Sequence, residues 1–220
     1  MKERPILMNG AMVRATLAGS KTQTRRIMKH QPEYPIIIAG DPHTMRYQPE
    51  GGEALTLVSL LRHCPHGLVG DQLYVRETTE IDEQTSDSVE LSRYSADGEP
   101  VLYSGCEDPE FNGAVAVWDY PRRSRPSIHM PRWASRILLE IVSVRVDRLQ
   151  DISDADIEAE GIDMEALAEA QERYDVVAKD GNASGRPTLR SAWRDLWEST
   201  GGDWDANPWL WAISFKRVAP

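Results

Sequence analysis

Two stretches far apart in the 220-residue chain hold side chains that can do chemistry. "LAGSKTQTRR" at residues 17–26 gathers Lys21, Arg25 and Arg26 around Thr22 and Thr24, and "SDADIEAEG" at residues 153–161 ends an acidic run with Glu160. A threonine hydroxyl attacks an acyl carbon only after a base takes its proton, and a lysine becomes that base when desolvation or neighbouring cations lower its pKa. Arg25 and Arg26 are such cations. A carboxylate across the same pocket can hold an amide or an exocyclic amine and shuttle its proton. Residues of these types, brought together, would break an acyl–nitrogen bond without a metal. Lys-x-x-Thr is also a common spacing, and a basic turn after a helix often binds only water or a phosphate. The question for the fold is whether the two stretches meet.

A third stretch, "RPSIHMPRWASR" at residues 125–136, interleaves Arg125, His129, Arg132, Trp133 and Arg136. Arginines alternating with an aromatic can clamp phosphates while the ring stacks a base. Equally, Trp133 can pack a core while the arginines face water. "RHCPHG" at residues 62–67 brings His63, Cys64 and His66 close together. Structural zinc takes four ligands, usually as two spaced pairs, and no second pair stands near Cys106 or His129. The expectation is a tight turn with a buried Cys64, no metal and no cofactor.

The formal charge of −10 argues against a protein that coats long nucleic acid by neutralising phosphates. The charge is nonetheless patterned. Residues 1–30 carry seven cations against Glu3 alone, and residues 121–148 carry seven against Glu140 and Asp147, whereas residues 80–110 hold ten carboxylates against Arg93. If the two basic segments meet, they form a cationic patch on an acidic body, suited to a small anionic ligand or a short stretch of RNA or DNA. The alternative is scattered, solvated charge. A hydrophobic share of 40% and a charged share of 27% are those of an ordinary globular protein. No apolar leader and no run of about 18 apolar residues is present, which predicts a cytoplasmic protein with no membrane partner. Two cysteines are too few for a disulfide framework.

The elements that must position these residues follow from periodicity. "RPILMN" reads as a short strand, and "GAMVRATLAG" as a helix closed by Gly19 in a left-handed cap, leaving a basic turn after it. "YPIIIAG" and "GDQLYVRET" read as strands, residues 81–112 as an acidic, turn-rich peripheral insertion with a hairpin at "YSADGEP". "SRILLEIVSVRVDRL" at residues 135–149 is long and β-branched, the pattern of a central strand. Ser153 is placed to cap a short helix ended by Gly161, and residues 164–174 continue as a second. In "TLRSAWRDLWESTGG", Leu189, Ala192, Trp193, Leu196 and Trp197 share one helix face. The closing "PWLWAISFKRV" alternates as a last strand. Short helices among well-spaced strands suggest an α+β barrel, since a curled sheet removes its own edges. No glycine-rich phosphate loop is present, which argues against Rossmann and Walker nucleotide enzymes.

Read together, these blocks resemble a family. "LAGSKTQTRR" is similar to the G-x-K-x-x-T-x-R signature of ASCH domains, small barrels related to the PUA fold of RNA-binding proteins. "GDQLYVRE", the central strand with "SDADIEAEG", and "WLWAISFKRV" match the remaining ASCH blocks in order, while "RPILMNGAMVRATLAGSKTQTRR" and "RPSIHMPRWASRI" resemble the longer ASCH proteins of tailed phages and prophages. The resemblance implies a single PUA-like (ASCH) β-barrel domain over residues 1–220 with flanking short helices and insertions near 31–62, 80–125 and 163–187. It also implies, by analogy with the small bacterial 4-acetylcytidine amidohydrolases, catalytic roles for Lys21, Thr24 and Glu160. Thr22, Arg25, Arg26, Arg132, Trp133 and Arg136 are the expected ligand contacts. The partner would be a nucleoside or a short single-stranded nucleic acid. Three classes stay open: a metal-independent hydrolase on an acylated pyrimidine nucleoside, a non-catalytic reader of RNA or a modified base, and a phage assembly protein with a vestigial pocket.

Overall fold

The computed structural model describes residues 1–31, 46–47, 55–56, 60–83, 89–103, 115–178 and 185–218. The strand expected at "YPIIIAG" lies outside them. In chain order the elements are β1 (Glu3–Leu7), α1 (Gly10–Ala18), β2 (Gln23–Ile27), β3 (Arg46–Tyr47), β4 (Leu55–Thr56), β5 (Gln72–Arg76), β6 (Thr79–Asp82), β7 (Leu91–Tyr94), β8 (Ser124–Arg125), β9 (Leu138–Arg148), α2 (Asp154–Ala159), α3 (Met164–Ala178), α4 (Leu189–Ser199) and β10 (Trp209–Val218).

Five strands follow the order β1-β5-β9-β10-β2, three follow β7-β6-β8, and β3 pairs with β4. The class is α+β with a mixed sheet: β1 runs parallel to β5, β5 antiparallel to β9, and β2 antiparallel to β10. The long strand β9 takes the middle place that its β-branched sequence predicts. The five-strand order ends on β1 and β2, and no ladder closes it among the described residues. The closed barrel expected from the sequence is therefore not seen.

The chain divides into two compact units, the first made of Met1–Gly19, Val69–Ile141 and Phe215–Pro220, the second of Ser20–Leu68 and Val142–Ser214. In the first unit, Asn9 caps α1 by accepting the Met12 N–H at 2.9 Å, and Gly19 ends it at φ 82°. Leu73 and Val75 are buried in alternation along β5. The stretch read as a peripheral insertion instead supplies β6, β7 and β8, and its Tyr94, Val101 and Ala116 form a core with Met130 and Ala134. The hairpin expected at "YSADGEP" is present, with the Tyr94 N–H donating to Glu99 O at 2.8 Å. These strands are two to four residues long, too short to leave a period in the sequence.

In the second unit the segment expected as a basic turn becomes a strand at Gln23, because each residue from Gln23 to Ile27 finds a partner in β10 from Ser214 back to Leu210. Ser153 caps α2 by accepting the Asp156 N–H at 3.2 Å, and Gly161 follows its end at φ 84°. Leu149, Ile152, Ile157, Trp193, Trp197 and Leu210 make one core. The alternation read in β10 predicted one buried face. Leu210, Trp211, Ala212 and Ile213 are all buried, since Leu210 enters the tryptophan core while Trp211 and Ile213 are covered on the other face.

The end of α4 is a Schellman turn: Gly201, at φ 84°, donates to Glu198 O at 2.9 Å, and Gly202 donates to Trp197 O at 3.3 Å. A Cβ at Gly202 would collide with Nε1 of the buried Trp197. Gly202→Ala is expected to lower stability by about 1–3 kcal/mol through overpacking of the indole, read by urea unfolding. An unchanged midpoint would show that Trp197 has room to move.

Candidate functional site

Lys21 stands two residues before β2, and Glu160 follows α2 as its C-cap. Their backbones form an antiparallel bridge, supported by the Thr22 N–H donating to Ala159 O at 2.8 Å. The two stretches do meet. Lys21 Nζ donates to Glu160 Oε2 at 2.8 Å and to the Glu160 carbonyl at 2.7 Å, with the two side chains 0% and 2% exposed.

Strand alternation puts Gln23 and Arg25 on one face of β2. From there Arg25 Nη1 donates to Glu160 Oε1 at 3.1 Å and also bonds Gln23 Oε1, while Arg25 Nη2 reaches Asp156 Oδ2 at 3.1 Å and Asp147 Oδ2 at 3.4 Å. Gln23 Nε2 donates to Asp156 Oδ1 at 3.0 Å and Ser214 Oγ at 3.1 Å. Arg145 Nη2 donates to Asp156 Oδ2 at 2.8 Å. The network runs from the sealed Lys21–Glu160 pair to a wet margin, where Asp156 and Arg145 side chains are 22% and 45% exposed. Lys21, Arg25 and Arg145 face Glu160, Asp147 and Asp156, so the ion pairs balance.

Burial pushes the Lys21 pKa down; the charge and hydrogen bond of Glu160 oppose this, and Arg26 and Arg25 add to the lowering. Burial also lowers the Arg26 pKa, against the pull of Glu160. Burial acts to raise Asp156, yet its pKa falls, because the Gln23 hydrogen bond and the Arg145 and Arg25 charges favour the carboxylate. The cluster thus contains a lysine whose pKa burial lowers, the direction that a lysine base requires.

Two solved structures are similar to the chain. One is an ASCH domain from Lactobacillus crispatus JV V101, at 14% identity and a TM-score of 0.35, covering 100% of this chain and 81% of that one. The other is a protein of Enterococcus faecalis V583 assigned to the family model DUF984, at 10% identity and a TM-score of 0.33, covering 100% of this chain and 82% of that one. The first belongs to the family that the sequence blocks resemble. No family model matches the chain, and no curated protein does. Similarity this loose transfers no residue role, and the site rests on its own geometry.

Of the other expected residues, Thr24 is buried in β2 opposite Ile213, on the alternate face from Gln23 and Arg25. Thr22 is exposed. Arg132, Trp133 and Arg136 lie in the first unit, where the arginines are held by carboxylates: Arg132 by Glu3 at 2.8 and 3.1 Å, Arg136 by Glu77 and Asp97. Both therefore have carboxylate partners within the chain, which a phosphate would have to displace. Among the described residues no cluster of His, Cys, Asp or Glu is arranged to hold a metal, and Cys64 is buried in a turn closed by Gly67 N–H to Cys64 O at 3.2 Å. No helix among them is long and apolar enough to cross a membrane.

Sequence reasoning missed Gln23, Arg145, Asp147, Asp156 and Ser214 as members of the network. Two signals were available. Gln23 shares Arg25's parity on a strand, and Arg145 and Asp147 share a face of β9. Asp156 gives the α2 cap only its backbone N–H and spends its carboxylate on Gln23, Arg25 and Arg145.

Proposed function

We propose that the chain is an ASCH-type, PUA-like protein that removes an acyl group from the exocyclic amine of a modified pyrimidine nucleoside, with Lys21, Glu160 and Thr24 as its catalytic residues. The observation that carries this reading is the buried Lys21–Glu160 pair, 2.8 Å apart, with the lysine pKa lowered by desolvation. Lys21 acts as the base from its neutral form, the form that burial favours. Thr24 Oγ, which strand alternation turns away from the Gln23–Arg25 face, must swing to the Lys21 side to attack the acyl carbon as its proton passes to Lys21 Nζ. The acyl–nitrogen bond breaks, the departing amine takes that proton from Lys21 by way of Glu160, and water hydrolyses the threonyl ester to release the carboxylic acid. The wet margin at Asp156 and Arg145 is the side from which the nucleoside reaches the pair.

The test is incubation of the full chain with 4-acetylcytidine in the presence of a chelator, followed by chromatography. Cytidine and acetate are expected, at a rate the chelator does not change. Thermal stabilisation by the nucleoside with no product would replace the enzyme by a reader of modified bases or short RNA. The closure of the pair, 0% and 2% exposed, weighs against turnover there and so favours a second reading without chemistry. Neither product nor stabilisation would leave the vestigial pocket of an assembly protein.

A further inference from the structure

The first unit holds a cavity of about 350 Å³, lined chiefly by Tyr94, Glu99, Leu102, Trp133, Ser135 and Arg136. That volume is at the lower end of small-molecule sites, which run from about 300 to 1,000 Å³. Much of its wall is committed before any ligand arrives. Arg136 Nε and Nη2 donate to the two oxygens of Glu77, each at 2.9 Å, while Nη2 and Nη1 reach Asp97 at 3.0 and 2.9 Å. Four of the five guanidinium N–H donors are thus occupied. The same guanidinium lies 3.8 Å from the Tyr94 ring centroid and covers that ring, whose hydroxyl donates to Ala134 O at 2.8 Å. Ser135 Oγ donates to Val75 O at 2.7 Å.

Two groups remain for a ligand. One is the Trp133 indole, 36% exposed and held by Tyr103, which stacks on it at 5.0 Å and 24° without lining the cavity. The other is the carboxylate of Glu99, on the exposed hairpin. Two cations, Arg136 and Arg14, whose Nη1 donates to Ala96 O at 2.7 Å, stand with three carboxylates, Glu77, Asp97 and Glu99, so the surroundings are net negative. A phosphate is repelled there. A planar ring can stack on Trp133, and a carboxylate, which only accepts hydrogen bonds, selects a ring edge with two adjacent donors. Guanine has that edge in its ring N–H and 2-amino group. Adenine and cytosine place an acceptor beside their one amino group, and uracil flanks its single donor with two acceptors.

We propose that this cavity is a second site, separate in its residues from Lys21 and Glu160, and that it binds a free guanine-type nucleoside with its ring on Trp133 and its donor edge on Glu99. An unpaired guanine in RNA has the same edge but brings flanking phosphates into a negative site. The free nucleoside is therefore the occupant.

The experiment titrates the full chain with guanosine, guanosine 5′-monophosphate and a short guanine-containing single-stranded RNA, with binding read by calorimetry and saturation-transfer NMR. Guanosine is expected to bind at least about fivefold more tightly than either phosphate-bearing ligand. Trp133→Ala is expected to weaken guanosine by about tenfold or more while Trp133→Phe keeps most of the affinity, as stacking predicts. Glu99→Gln, on an exposed turn that tolerates it, should weaken guanosine and bring the monophosphate to near parity. The proposal is overturned by tighter binding of the monophosphate or the RNA, by a Glu99→Gln protein that binds guanosine as the unaltered chain does, or by no binding at millimolar guanosine.

Discussion

Lys21→Met is expected to lower the unfolding free energy by about 3–5 kcal/mol, the cost of removing one partner from a buried ion pair. The reason is the carboxylate left behind. Glu160 is 2% exposed and loses the ammonium at 2.8 Å, keeping the ion pair with Arg25 Nη1 at 3.1 Å and the more distant charge of Arg26. These remaining cations place the expected value at the lower end of the range. The double replacement Lys21→Met with Glu160→Leu should recover most of the loss, because two apolar side chains of similar volume remove both desolvation penalties together. Urea unfolding of the two single variants and the double variant measures the coupling directly. A loss below about 1 kcal/mol in Lys21→Met is the value of a solvated surface pair and would show that the pair is open to water.

Thr24→Val is expected to reduce turnover of an acylated nucleoside by about three orders of magnitude or more, with nucleoside affinity nearly unchanged. Valine keeps the shape and β-branching that suit a buried strand position opposite Ile213, and deletes only the hydroxyl. Thr24→Ser should retain part of the activity. The measurement is single-turnover release of cytidine beside a binding titration, so that chemistry and affinity are read separately. Equal turnover in Thr24→Val and the unaltered chain would return Thr24 to sheet packing and leave Lys21 and Glu160 as groups that orient a ligand.

The junction of Lys21 with Glu160 was expected from the resemblance alone, which puts both in one site; the residues themselves left open whether the two stretches meet. What surrounds them was not expected. The segment after Ser20 reads as a basic turn when only its charges are weighed, and becomes a strand because β10 offers five consecutive partners, a fact carried nearly 190 residues away. Asp147 looked like a counter-charge within a basic stretch, and its contact with Arg25 across 122 residues follows from sheet order alone. Arg132 and Arg136 show what charge alone leaves out. Their charge was visible, but their partners Glu3, Glu77 and Asp97 lie 39 to 129 residues from them in sequence, and only the fold brings these together. The strands β6 to β8 escaped notice since runs this short carry no alternation to detect.

The bridge between Lys21 and Glu160 spans 139 residues, and this has a consequence for the newborn chain. At ribosomal rates of about 5–20 residues per second, Lys21 leaves the ribosome roughly 7–28 s before Glu160 does. Through that interval the lysine has no carboxylate to receive it and must stay hydrated and charged. Burying it early would strand a cation, so β2 cannot settle into its final place until residue 160 has been made. Assembly of this pair is therefore among the last events of biogenesis, and a chain halted before residue 160 should keep Lys21 open to amine-reactive reagents that the finished protein excludes.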